Sequence, residues 1–207
     1  TSKISDLERN LWNIRLKTAG KHYMKNAAAL LALVFSLKLN PSKAILALER
    51  WSPLPGRGQA LEIKVKHSIY EIAIYLIDES YNANPGSVKS SLETLASIYS
   101  NKRSKCKYSR RIAVLGDMLE LGSSEVEEHV NISRFARLDK IDKIYCVGFR
   151  MRKLYDVLPS LKRGFWTETA EEMQHVLVKN LKDGDIVMIK GSLSMGMNTI
   201  VNKLKNN

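Results

Sequence analysis

"EIAIYLIDESYNANPGSVKSSL", residues 71–92, runs from an apolar stretch through a polar loop into an amphipathic pattern, and that order decides the fold. Residues 71–77 are apolar at nearly every position, as expected of a strand buried on both faces. Asn84 before Pro85 marks a helix start, with asparagine as the cap and proline at the first helical position, where no backbone N–H is needed. Beyond it Val88, Leu92, Leu95 and Tyr99 fall on one helical face. A buried strand feeding a helix through a short loop is the repeating unit of a parallel sheet.

The same rhythm continues downstream. Strands are predicted at 110–116, 143–148, 164–167 and 185–190, alternating with helices from about Ser124, over 152–158, over 169–181 and from about Ser194. Immediately upstream, residues 60–66 alternate apolar and polar like a half-exposed strand. The fold class is therefore α/β, a mostly parallel sheet with helices on both faces.

Residues 23–37 are apolar almost all round, which predicts a helix buried on most sides inside a larger body. Pro41 starts a second helix, with Asn40 as its cap. The segment 52–58, with two prolines and two glycines, breaks this pattern and predicts a hinge, dividing the chain into domains 1–57 and 58–207.

A length of 207 residues with 44% hydrophobic content is enough for one ample core, or one domain plus part of another. No apolar run approaches the roughly 20 residues that cross a bilayer, and residues 1–10 carry acids rather than an apolar signal core. A cytoplasmic protein without a membrane partner is expected. Cys106 and Cys146 are not spaced as metal ligands, and neither are the four histidines, so no metal site is expected. The net charge of +12 raises a nucleic-acid reading. Its densest basic stretch, 101–111, contains only Tyr108 for base stacking and reads as a solvated connection, so no nucleic-acid partner is expected. A basic α/β module that binds nucleic acid or a protein partner without catalysis is the alternative reading.

Ligands of open α/β sheets bind at the carboxyl ends of strands, and three loops there carry suitable chemistry. In 78–87, Asn84 and Pro85 are explained by helix capping, whereas Asp78, Glu79, Tyr81 and Asn82 are not; a polar turn and a ligand site both remain open. In 115–122 the glycines do not form GxGxxG, Ser124 with Glu127 suggests a capping box, and Asp117 and Glu120 fit either a tight turn or a site. In 189–196, Lys190, Gly191, Ser192 and Ser194 supply charge, close backbone approach and hydroxyls suited to an anion such as a carboxylate. Capping of the last helix by Ser194 is the plainer alternative. No GxxxxGK followed by Ser or Thr occurs, so a Walker A loop is absent and catalytic residues stay unassigned.

"GKHYMKNAAALLA", "PLPGRG", "DESYNANPGS", "RRIAVLGDMLELG" and "VMIKGSLSM" stand in the order and spacing of the Mur ligases, and the chain resembles the D-alanyl-D-alanine-adding, MurF type along essentially its whole length. The resemblance implies the helical end of a central ATPase domain followed by a Rossmann-like C-terminal domain, hence a monomeric fragment of a longer enzyme, inactive alone. It implies a ligase of peptidoglycan synthesis that uses ATP and Mg2+. Such an enzyme activates the carboxylate of UDP-N-acetylmuramoyl-tripeptide as an acyl phosphate for attack by D-Ala-D-Ala. It implies ATP contacts from Asn26, Arg57, Asp78, Glu79, Tyr81, Asn82 and Asn84, the loop 78–84 closing over the nucleotide. Lys190, Gly191 and Ser192 fall on the loop expected near the dipeptide. Tyr23, Glu79 and Leu193 stand where the family commonly has asparagine, aspartate and arginine.

Overall fold

The computed structural model describes residues 2–5, 11–18, 20–66, 70–98 and 110–206. They form two compact units, Thr1–Leu54 and Pro55–Asn207. In the first, strands β1 (Ser2–Ser5) and β2 (Leu11–Ile14) pair antiparallel, followed by helices α1 (Lys21–Ser36) and α2 (Pro41–Arg50). Asn40 caps α2 as expected, its side chain accepting from the Ser42 N–H at 2.9 Å. The expectation for α1 needs correction: Ala27 and Leu31 are buried, but Leu30 and Leu33 are exposed. Among the described residues of this unit only a strand pair and α2 accompany the helix, so one side is covered and the all-round apolar pattern is not satisfied.

The second unit holds β3 (Gln59–Lys66), β4 (Glu71–Glu79), α3 (Pro85–Ser97), β5 (Arg111–Gly116), α4 (Glu125–Asn131), β6 (Lys143–Val147), α5 (Phe149–Val157), β7 (Arg163–Thr167), α6 (Ala170–Asn180), β8 (Ile186–Lys190) and α7 (Met197–Lys205). The sheet order is β3-β4-β8-β5-β6-β7, with β3 antiparallel to β4 and every other neighbouring pair parallel. This is the expected α/β architecture with one antiparallel edge strand. Because successive strand residues face opposite sides, the core falls into two layers. Leu76, Val114, Val187 and Ile189 pack with Met173, Leu177, Ile200 and Leu204 of α6 and α7. Ile77, Leu115, Ile144 and Met188 pack with Leu92, Leu95, Met151 and Leu154 of α3 and α5. All five residues of β8 are buried, as a central strand requires.

Asn84 caps α3 as expected, its side chain accepting from the Ser87 N–H at 2.8 Å while the Ser87 hydroxyl accepts from the Asn84 N–H. The capping box at Ser124 and Glu127 does not form. A 3-10 turn over Gly122–Ser124 leads into α4, so Ser124 is already helically wound, and its hydroxyl donates back to the Leu121 carbonyl. Ser194 does not cap α7 either, because it sits inside the turn Leu193–Met195 and left-handed Gly196 intervenes. Tyr99 and residues 101–109 of the basic stretch lie outside the described residues. Its last two members face inward, Arg110 binding Asp185 through two hydrogen bonds at 2.9 and 2.6 Å and Arg111 donating to the Ile98 carbonyl. Among the described residues no helix is long and apolar enough to cross a membrane.

Candidate functional site

β8 lies between β4 and β5, and its parallel register pairs Lys190 with both Glu79 and Leu115. The loops that leave these three strands therefore meet at the carboxyl end of the sheet, where open α/β sheets place their ligands. All three loops singled out in the sequence are brought together.

Asp78 is not a loop residue but a member of β4, 3% exposed. Its carboxylate accepts from the Gly56 N–H at 3.0 Å and from both the backbone N–H and the hydroxyl of Ser80, and Lys205 stands 3.8 Å away. Its acceptor capacity thus goes into protein contacts, as a buried carboxylate requires. The main consequence is that 55–58 is fastened to the strand end: the Gly58 N–H donates to the Asp78 carbonyl at 2.7 Å, and the Tyr81 N–H donates to the Gly56 carbonyl at 3.0 Å. The glycine-bearing half of the segment is thus part of the sheet unit, which begins at Pro55. On this fastened backbone the exposed Arg57 guanidinium lies 4.0 Å over the Tyr81 ring.

Lys190 is also 3% exposed. Its ammonium donates to the Asn82 carbonyl at 2.9 Å and stands 3.6 Å from the Glu79 carboxylate. Burial pulls its pKa below the ordinary lysine value, and the Glu79 charge opposes that shift. The ammonium ties the 78–84 loop to β8, the strand that leads into the 189–196 loop. Gly191 does permit close approach, but to protein: a side-chain carbon there would lie 2.5 Å from Met197 and 3.1 Å from the Gly116 backbone. Ser192 is buried and clips the 115–122 loop, its N–H donating to the Asp117 carbonyl at 3.1 Å and its hydroxyl accepting from the Leu119 N–H at 3.0 Å.

The 115–122 loop rests on contacts that the sequence pattern did not reveal. The Asp117 carboxylate accepts from the Met151 N–H at 2.7 Å and the Arg150 N–H at 3.2 Å, so it caps α5 from another strand. Gly148 makes room for it, since a side-chain carbon at that position would sit 2.5 Å from the carboxyl carbon. Arg150 bridges Glu125 at 2.6 Å, and that hydrogen bond is the main cause of its raised pKa. His129, fully buried, accepts the Met118 N–H at Nε2 and contacts the Glu125 carbonyl through Nδ1. The carbonyl requires a donor and the Met118 N–H an acceptor, so Nδ1 carries the hydrogen and Nε2 the lone pair. Glu120 then adopts a left-handed φ of 63°, uncommon for a residue other than glycine, at the tip of this braced loop. A glycine directly after β6 was the one local hint of the Asp117 contact.

Asn84 serves as the α3 cap, and the Asn82 side chain accepts from the Ala83 N–H. Asn26 is exposed on α1, in the other unit. Among the described residues no group of three or more His, Cys, Asp or Glu side chains is placed to hold a metal ion.

A family model described as Mur ligase, glutamate ligase domain matches residues 65–193, more than half of the chain. The chain belongs to the Mur ligase family. The UDP-N-acetylmuramoyl-tripeptide--D-alanyl-D-alanine ligase of Treponema pallidum is 30% identical over 89% of this chain and 37% of its own length. The enzyme of the same name from Bacillus subtilis is 29% identical over 89% of this chain and 38% of its own length. This Mur ligase chain therefore spans under two fifths of the length of these relatives. MurF of Acinetobacter baumannii has the same fold, with a TM-score of 0.74 at 23% identity over 96% of this chain and 40% of that one. MurF of Thermotoga maritima in complex with ADP gives 0.75 at 22% identity over 99% and 42%. The family match takes in the first two loops at the carboxyl end of the sheet, reaches Leu193 in the third, and begins downstream of Arg57.

Proposed function

We propose that this chain is part of an ATP-dependent ligase of peptidoglycan synthesis that joins D-Ala-D-Ala to UDP-N-acetylmuramoyl-tripeptide through an acyl phosphate. The observation that carries the reading is the match to the D-alanyl-D-alanine ligase of Treponema pallidum along 89% of this chain. ATP supplies the phosphoryl group that makes the peptide carboxylate reactive, and the contribution of this chain is placement of charge and loops.

Arg57 is a cation that the sheet unit offers to the phosphates. Asn26, in the first unit, keeps the adenine contact that the resemblance implies. Asp78, Glu79, Asn82 and Asn84 shape the loop beside Arg57 through their contacts with Gly56, Lys190, Ala83 and Ser87, and the nucleotide contacts implied for them fall on that loop. Lys190, Gly191 and Ser192 hold that loop and the 116–122 loop together where the dipeptide is proposed to enter. No residue of this chain is proposed as a ligand of Mg2+.

The test is phosphate release by the purified full-length polypeptide that contains this chain. Release is expected only when ATP, UDP-N-acetylmuramoyl-tripeptide and D-Ala-D-Ala are all present. Release that ignores D-Ala-D-Ala would remove the assignment. Lys190→Ala removes the bond that fastens the 78–84 loop beside Arg57 and is expected to raise the KM for both ATP and the dipeptide, by about tenfold or more, as loss of a charged hydrogen bond would.

A further inference from the structure

We propose that Tyr81 is a positioning residue for Arg57: its ring holds the guanidinium in a preset place for the anion the site receives, and it does not itself bind the nucleotide. The inference rests on the proposed function for what the anion is, and on geometry for the rest.

Arginine is a poor ligand when loose, because its long side chain loses rotamer freedom on binding. Here the backbone on both sides of Arg57 is fixed. The Gly56 N–H is held by the Asp78 carboxylate at 3.0 Å, and the Gly58 N–H by the Asp78 carbonyl at 2.7 Å. The Gly56 carbonyl accepts from the Tyr81 N–H at 3.0 Å. Gly56 adopts a φ of 76°, and a side-chain carbon there would lie 2.9 Å from the Tyr81 Cβ, so the two chain segments touch at a distance only glycine allows. This contact carries the Tyr81 ring to the guanidinium, 4.0 Å from its centroid. Tyr81 is 42% exposed and is therefore not spent on the core. A cation–π contact acts through the charge and the ring face, so it restrains where the guanidinium lies.

The experiment is a double-mutant cycle on kcat/KM for ATP in the full ligating polypeptide, with Tyr81→Leu and Arg57→Met, read beside the ring-current shift of the Arg57 Nε–H in the 207-residue chain. Tyr81→Leu is expected to lower kcat/KM for ATP by about twofold to fivefold, the worth of a half-exposed cation–π contact. It should add nothing once Arg57 is methionine. Tyr81→Phe keeps the ring and is expected to retain both the activity and the upfield shift. Equal losses from Tyr81→Leu in both backgrounds would overturn the inference and leave the proposed function standing. A wild-type polypeptide with no D-Ala-D-Ala-dependent turnover would overturn both. Loss of activity in Tyr81→Phe with the shift intact would assign the role to the hydroxyl and also overturn the inference.

Discussion

Lys190 illustrates how a single residue can be read correctly in type and differently in use. A lysine leaving a strand before Gly-Ser was expected to face an anion, yet its ammonium is buried against Glu79 and the Asn82 carbonyl. Because burial lowers its pKa from 10.5, the unfolded chain holds that proton more tightly than the native state in the alkaline window below 10.5. Stability linked to this group then rises with pH through that window and is lost as pH falls through the folded pKa. The difference in unfolding free energy between wild type and Lys190→Met is therefore expected to move in favour of wild type as pH is raised from neutral towards 10.5. Chemical denaturation across that range measures it. A flat or falling difference would mean that the ammonium is better solvated than its surroundings indicate.

At the scale of elements, strands and helices of the sheet unit were legible because their signals are local: apolar runs, Asn84-Pro85 and Asn40-Pro41. Burial of α1 was not, because it depends on neighbours that a local pattern cannot supply. The Asp117 bridge was not legible for a related reason, since it links β5 to a helix far along the chain. α5 has no side-chain cap of its own, and its Ncap is Gly148 with a φ of 104°. Asp117→Ala would leave the buried Met151 N–H without its acceptor, with an expected loss of about 1.5 to 3 kcal/mol. Gly148→Ala should also be destabilising, from backbone strain and from collision with the carboxylate. In the Asp117→Ala background the collision disappears and only the strain remains, so the double variant should lose less stability than the sum of the two single losses. Urea unfolding of the four variants decides this; strict additivity would separate Gly148 from Asp117.

For the whole molecule, the boundary between units is itself a statement about energetics. Both layers of the sheet core draw their residues from 63 onward, which predicts that 55–207 folds without the preceding unit. The choice of first residue then matters more than the length removed. A chain that begins at Pro55 keeps the Gly56 N–H on the Asp78 carboxylate and the Gly56 carbonyl on Tyr81. One that begins at Gly58, where the turn-rich segment ends by composition, loses both contacts while Asp78 stays buried with Ser80 and Lys205. An unmet acceptor on a buried carboxylate costs about 1 to 3 kcal/mol, so 58–207 should unfold at lower urea than 55–207, with a similar dependence on denaturant because the core surface exposed is the same. The pair also separates two views of the segment. A passive linker would give equal midpoints, whereas a strap that completes the strand end gives the earlier midpoint only to the shorter chain, and the Tyr81 amide, deprived of its acceptor, should exchange faster there as well.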